Sequence, residues 1–164
     1  MQYHILSGCG SFMAGLATII RDQNHRVVAY DECFLPPMKH QLQRAEVDMV
    51  QGYKGLINYK EGDGIIIGNA IKRGNPLLEQ WLSDRRPLLS GPEYLRDKVL
   101  RHKKTIAVAG THGKTTTTAM MAHALEALGQ HPGFLVGGIP LNFHTSARLG
   151  QGDWFCIEAD EYDT

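Results

Sequence analysis

Thr105-Ile106-Ala107-Val108-Ala109-Gly110-Thr111-His112-Gly113-Lys114-Thr115-Thr116 is the stretch that decides the fold. Residues 105–109 form a short apolar run with β-branched members, which reads as a buried strand. Residues 114–128 read as a helix that stops at Gly129. Between them lies a glycine-bearing turn that ends in Gly-Lys-Thr. A strand, such a turn and a Gly-Lys-Thr at a helix start together make a phosphate-binding arrangement. The first turn of a helix carries unpaired N–H groups, and the macrodipole adds partial positive charge there. Gly110 and Gly113 let the backbone curl around a phosphate with no Cβ in the way. Lys114 supplies a point charge for the β- and γ-phosphates of ATP, and Thr115 a hydroxyl for Mg²⁺.

The spacing departs from the usual G-x-x-x-x-G-K-[ST]. That pattern needs glycine at 108, where Val108 stands, and the glycine comes instead at Gly110. A chance Gly-Lys-Thr is the competing reading. Strand, loop, lysine, hydroxyl and helix all fall in order, which outweighs it. Thr116, Thr117 and Thr118 are ambiguous, because threonines in a first helical turn often bond their own backbone.

Upstream, short apolar runs alternate with helical segments. Strands are expected at residues 3–6, 26–30, 47–50 and 64–67. Helices are expected at 13–23, after Pro36-Pro37, at 76–85 with Pro76 in the first turn, and at 92–101. This β-α-β-α rhythm predicts an α/β fold with a parallel sheet covered by helices on both faces. The polar junction Arg101-His102-Lys103-Lys104 marks a boundary. Residues 1–102 are expected to form a Rossmann-like domain, and 103–164 the beginning of a P-loop ATPase α/β domain. Further strands at 134–136 and 154–157 would give that second unit only three, too few to stand alone. The chain is therefore expected to be part of a longer protein.

Composition narrows the partners. Lys plus Arg and Asp plus Glu both number 17, so no charge excess exists to attract nucleic acid or an anionic membrane. No apolar run approaches the ~18 residues of a membrane span. The cysteines Cys9, Cys33 and Cys156 include no C-x-x-C, and the histidines no H-E-x-x-H. Disulfides are not expected, and with no secretory leader in residues 1–6 the cytoplasm is the expected compartment.

Two other clusters bear chemistry. Gly8-Cys9-Gly10-Ser11-Phe12-Met13 follows the first strand and precedes the first helix. It is close to G-x-G-x-x-G, but Met13 replaces the third glycine, which tilts the reading from NAD towards another diphosphate-bearing ligand. Asp31 lies about twenty residues on, where an acid can meet a ribose. The competing reading is a tight turn that binds nothing. At the far end, Glu158-Ala159-Asp160-Glu161 follows a strand, at the edge where α/β sheets bind ligands. Glu158 is the candidate Mg²⁺ ligand, and Asp160 and Glu161 are either behind it or merely solvated.

Taken together, these residues resemble the Mur ligase family, ATP-dependent amide-forming enzymes of bacterial cell-wall synthesis. Gly110-Thr111-His112-Gly113-Lys114-Thr115-Thr116 is similar to that family's shortened phosphate loop, which accounts for Val108. His112 is the variant of the branch that acts directly on UDP-N-acetylmuramate. Pro36-Pro37-Met38, Gly68-Asn69-Ala70, Arg73-Gly74-Asn75-Pro76, Ser90-Gly91-Pro92 and Glu158-Ala159-Asp160-Glu161-Tyr162-Asp163 resemble the members that join a murein tripeptide, L-alanyl-γ-D-glutamyl-meso-diaminopimelate, to that substrate in peptidoglycan recycling. The resemblance implies that ATP phosphorylates the substrate carboxylate and that the peptide amine attacks the acyl phosphate. It implies UDP-substrate contacts at Gly8, Cys9, Gly10, Ser11, Phe12, Met13, Asp31, Asn69 and Arg73. It implies ATP contacts from Gly110 to Thr116, roles for Lys114 and His112 at the reacting phosphates, and Mg²⁺ at Thr115 and Glu158. The competing readings are the L-alanine-adding members and a nucleotide-binding module without chemistry. By itself this chain is expected not to catalyse ligation.

Overall fold

The computed structural model describes residues 1–54 and 59–159. Five strands make the first sheet: β1 (Gln2–Leu6), β2 (Arg26–Asp31), β3 (Asp48–Gln51), β4 (Gly64–Ile67) and β5 (Leu88–Ser90). All pairings are parallel and the order is β3-β2-β1-β4-β5. The central strand β1 is buried from Tyr3 to Leu6, as a parallel strand covered on both faces must be. The edge strands β3 and β5 are short and partly exposed, which limits the unpaired edge. The chain builds outward from β1 through β2 to β3, then returns to place β4 on the other side. The strand order therefore reverses between β1 and β4, and a crevice opens there at the carboxyl ends.

Helices α1 (Ser11–Asp22), α2 (Met38–Arg44) and α3 (Pro76–Ser83) connect these strands, and α4 (Gly91–Lys98) leads from β5 towards the second sheet. Two have strong local starts. Asn75 accepts hydrogen bonds from the N–H groups of Leu77 (3.1 Å) and Leu78 (3.2 Å), with Pro76 following. Ser90 and Glu93 form a reciprocal capping box on α4. The helix expected over 92–101 is shorter than its pattern. It ends at Lys98, and a 3-10 turn over Leu100–His102 carries the chain onward.

The second sheet contains β6 (Lys104–Val108), β7 (Gly133–Leu135), β8 (Ala147–Arg148) and β9 (Trp154–Glu158), in the order β6-β9-β7-β8. Four strands are present among the described residues where three were expected. The addition, β8, has two residues and runs antiparallel to β7, too short to leave a periodic signature. The three-residue β5 escaped the sequence reading for the same reason. Helix α5 (Lys114–Ala127) crosses from β6 to β7. Its buried residues are Thr118 and Ala122, whereas Met120 (67% exposed) and Leu128 (72%) face solvent.

The two sheets share α1. Met13, Ala14, Gly15, Leu16, Ala17, Ile19 and Ile20 are all buried, so this helix is apolar nearly all round. One side lies on the first sheet. The other takes Leu135, Ala147 and Phe155 of the second sheet into the same core. Gly15 is where the approach is tightest, since a Cβ there would stand 3.1 Å from that of Ala147. A buried polar tie reinforces the junction. The Gln41 amide accepts from the Ser146 N–H (2.8 Å) and donates to the Ser146 (2.8 Å) and Thr18 (3.2 Å) hydroxyls.

Candidate functional site

Two strand–loop–helix turns carry the candidate residues. The first joins β1 to α1. Gly8 passes so close to β2 that a Cβ would lie 2.6 Å from that of Ala29, which requires glycine. Its N–H donates to the Tyr30 carbonyl at 3.1 Å. The Cys9 N–H donates to Asp31 Oδ2 at 2.9 Å. One oxygen of Asp31 thus secures the glycine turn, and Asp31 also lines a cleft. Burial pushes the Cys9 thiol above its ordinary range. Gly10 caps α1, and Ser11 is exposed at its first turn. Phe12 and Met13 point inward: a Cβ on Gly91 would lie 2.7 Å from the Phe12 ring and 2.9 Å from Met13 Sδ. Their side chains seat the helix on the sheet, so a ligand at this turn would meet backbone there.

The cleft at the β1/β4 crevice has a volume of about 460 Å³ and is lined by Ser7, Asp31, Glu32, Tyr53, Lys72 and Arg73 among others. Arg73 also pairs with Glu79 at 3.2 Å. Asn69 sits on the exposed turn after β4 and is not part of the lining. Tyr53, Glu32 and Lys72 were not singled out from the sequence. The signal available for Tyr53 was its place just past a strand, at the same sheet edge as Asp31.

The second turn joins β6 to α5. Gly113 adopts φ +76°, the left-handed region that favours glycine, immediately before Lys114 begins the helix. Lys114 Nζ donates to the Gly110 carbonyl at 2.9 Å, folding the side chain over the turn. The Thr115 hydroxyl donates to Glu158 Oε2 at 3.0 Å, and Glu158 Oε1 accepts from the Gly137 N–H at 2.5 Å. Parallel pairing brings this about. In the register Val108 lies opposite Glu158, so the loop after β6 and the carboxylate ending β9 arrive at one edge. His112 is exposed, with Nδ1 3.2 Å from the Thr111 hydroxyl. Thr116 is exposed. Thr118 is buried and donates to the Lys114 carbonyl at 2.8 Å, so it serves its own helix. Asp160 and Glu161 lie outside the described residues.

This turn has the means to hold a polyanion. It offers the N–H groups of a helix N-terminus, an ammonium, a hydroxyl and a carboxylate. Among the described residues no cluster of three or more His, Cys, Asp or Glu side chains could form a closed metal cage. Two hard oxygen donors, Thr115 and Glu158, suit Mg²⁺, which keeps waters and phosphate oxygens as its remaining ligands. The glycine pair Gly137-Gly138 was the missed element here, and its place at the carboxyl end of β7 was the available signal. Beside it, Thr115, Thr116, Met120, Ile139, Pro140 and Leu141 help to line an apolar cleft of about 610 Å³. Among the described residues no helix is long and apolar enough to cross a membrane.

The fold is a doubly wound parallel α/β unit followed by a second, mixed sheet, with a glycine turn at the carboxyl end of a strand in each. The model of the Mur ligase family, catalytic domain, matches residues 2–103, and the chain belongs to that family. It is 48% identical over 163 residues to the UDP-N-acetylmuramate–L-alanyl-gamma-D-glutamyl-meso-2,6-diaminoheptandioate ligase of Escherichia coli (strain K12), covering 99% of this chain and 36% of that protein. The enzyme of the same name from Haemophilus influenzae is 45% identical over 161 residues, covering 98% of this chain and 36% of that protein. The chain thus spans about a third of the length of these relatives. The crystal structure of the corresponding ligase from Neisseria meningitides superposes with a TM-score of 0.93 at 42% identity, over 99% of this chain and 53% of that one.

Proposed function

We propose that this chain supplies the UDP-N-acetylmuramate site and the beginning of the ATP site of a cytoplasmic ligase of peptidoglycan recycling. That enzyme joins UDP-N-acetylmuramate to L-alanyl-γ-D-glutamyl-meso-diaminopimelate. Residues 1–102 form the domain for the UDP substrate, and residues 103–164 begin the ATP domain. The observation that carries the reading is the Thr115–Glu158 hydrogen bond beside Lys114, at the mouth of a strand–loop–helix. The names of the relatives supply the substrates.

The γ-phosphoryl group of ATP passes to the substrate carboxylate with release of ADP, and the peptide amine attacks the resulting acyl phosphate, expelling inorganic phosphate to give the amide. This chain's residues bind and orient. The turn over Gly110–Gly113 and the first N–H groups of α5 receive the terminal phosphates. Lys114 leaves the Gly110 carbonyl and turns to the transferring phosphoryl group, whose charge it stabilises. Thr115 and Glu158 would hold Mg²⁺, and His112 lies at the rim near the reacting oxygens. Gly8–Ser11 and the start of α1 face the diphosphate of the UDP substrate, Asp31 the uridine, and Arg73 the same ligand from the opposite wall. Asn69 stands on the exposed turn that leads to Arg73.

The test is a ligation assay on the full-length protein, following ADP release with UDP-N-acetylmuramate and either the tripeptide or free L-alanine. Tripeptide-dependent release is expected. Turnover with L-alanine alone would overturn the choice of substrate, and ligation by residues 1–164 alone would overturn the view that the rest of the enzyme is needed.

A further inference from the structure

The cleft between β1 and β4 has an aromatic wall to which the proposed chemistry gives no role. Beyond the end of β3, the Gly52 N–H donates to the Asp31 carbonyl at 2.7 Å, and the chain turns back over the sheet edge. Tyr53 follows. Its ring packs against the core cluster that contains Leu6, Tyr30 and Ile65, and it lines the cleft with Ser7, Asp31, Glu32 and Arg73. The backbone of Ser7 and Glu32 lies beside its phenolic oxygen. Burial, helped by the charges of Asp31 and Glu32, pushes the phenol up to about 12, so it stays neutral at physiological pH. The ring is thus seated against the core beside the two loops that follow β1 and β2, one of which carries the glycine turn. A side chain held in this way offers a flat apolar face with little left to order when a ligand arrives.

Charge divides the rest of the cleft. Asp31 and Glu32 stand on the Tyr53 side, where they repel phosphate, and Lys72 and Arg73 stand on the segment that leads to α3, where they attract it. A nucleoside diphosphate therefore enters with its nucleoside towards Tyr53 and its diphosphate between the N–H groups of the glycine turn and the cations Lys72 and Arg73. We infer that Tyr53 is the platform on which the base of the nucleoside diphosphate stacks, and that Lys72 joins Arg73 in holding its phosphates. The inference rests on the proposed function, which makes that ligand a uridine compound. Every base has a π-face, so stacking alone is tolerant of base identity. The ring supplies affinity, and neighbouring polar groups supply the choice of uracil.

The experiment compares UDP and inorganic pyrophosphate as ligands, by isothermal titration with the full chain and its Tyr53→Leu, Tyr53→Trp and Tyr53→Phe variants. Thermal unfolding checks that each is folded. Tyr53→Leu is expected to weaken UDP on the order of tenfold or more, the scale of one lost base stack, and to leave pyrophosphate unaffected. Tyr53→Trp keeps a flat face and Tyr53→Phe keeps the ring, so both are expected to lose less than Tyr53→Leu. Equal UDP affinity in all four proteins would overturn the inference. So would a parallel loss of UDP and pyrophosphate in Tyr53→Leu, which would make Tyr53 a prop for the loops. If Tyr53→Leu does not fold, the Trp and Phe variants decide the matter: UDP binding lost in both, with pyrophosphate binding intact, would exclude a stacking platform. Failure of the unsubstituted chain to bind UDP would overturn the proposed function itself, and the inference with it.

Discussion

Gln41→Ala tests the tie between the two sheets. The Gln41 side chain is 2% exposed and Ser146 is fully buried. In the variant the Ser146 N–H loses its 2.8 Å acceptor. An orphaned buried donor costs about 1–3 kcal/mol. The bond from the Gln41 amide to the Ser146 hydroxyl adds roughly 0.5–1.5 kcal/mol. The Thr18 hydroxyl adds little, because it keeps its own bond to the Ala14 carbonyl at 3.0 Å. The expected destabilisation is therefore about 1.5–4.5 kcal/mol. In urea, with a slope near ~2 kcal/mol/M for a chain of this size, the midpoint falls by about 1–2 M while the slope stays constant. Gln41→Met is the control, since it nearly refills the volume and leaves the same donor unpaired. Its midpoint is expected to lie close to that of Gln41→Ala. A shift below about 0.3 M in Gln41→Ala, or full recovery in Gln41→Met, would refute the hydrogen-bonding account.

Three further outcomes are expected. Lys114→Ala in the full-length enzyme removes a charged hydrogen-bond donor from the turn proposed to hold the ATP phosphates, and should cost on the order of 1.5–3 kcal/mol in kcat/KM for ATP; unchanged ATP turnover would contradict its assignment. Asn75→Ala deletes the cap that receives the Leu77 and Leu78 N–H groups, and should lower stability by about 1 kcal/mol in chemical denaturation without changing the slope. His4 is 1% exposed beside Tyr30, Tyr59, Trp81 and Asp63, and burial lowers its pKa below the ordinary 6.5 despite the nearby carboxylate. Below pH 6.5 the unfolded chain takes up a proton that the folded chain refuses. Stability therefore falls as pH drops from 6.5 towards the folded pKa, by at most ~1.4 kcal/mol per pH unit from this group. Thermal unfolding across pH 5–7.5 should show a shallower dependence in His4→Gln, and an equal dependence would exclude His4 as a source.

Much of the architecture was legible along the chain. The continuous apolar run of β1, the cap at Asn75 and the Gly-Lys-Thr opening α5 are local signals, and the elements formed where those signals stood. So was the family, because short motifs survive in one dimension. Element ends were less legible. The two-residue β8 and three-residue β5 exist because neighbouring strands offer them hydrogen bonds, which no periodicity in the segments themselves records. The site was half legible. Lys114, Thr115 and Glu158 were readable as chemistry, but Tyr53 and Gly137 acquire meaning only from what lies across from them.

The sequence by itself determined the class of fold, the strand, glycine turn and helix over β6 and α5, and the residue types available there, since these depend on contacts within a few residues. The tertiary structure alone decided that α1 is shared by both sheets, because its apolar far side could not name the surface that covers it. It also decided that Asp31 secures the Cys9 N–H, and that Glu158 meets Thr115 across 43 residues. The turn after β6 therefore reads as more than a lysine and a threonine in line. Its carboxylate partner is delivered by strand register, and register is a property of the assembled sheet.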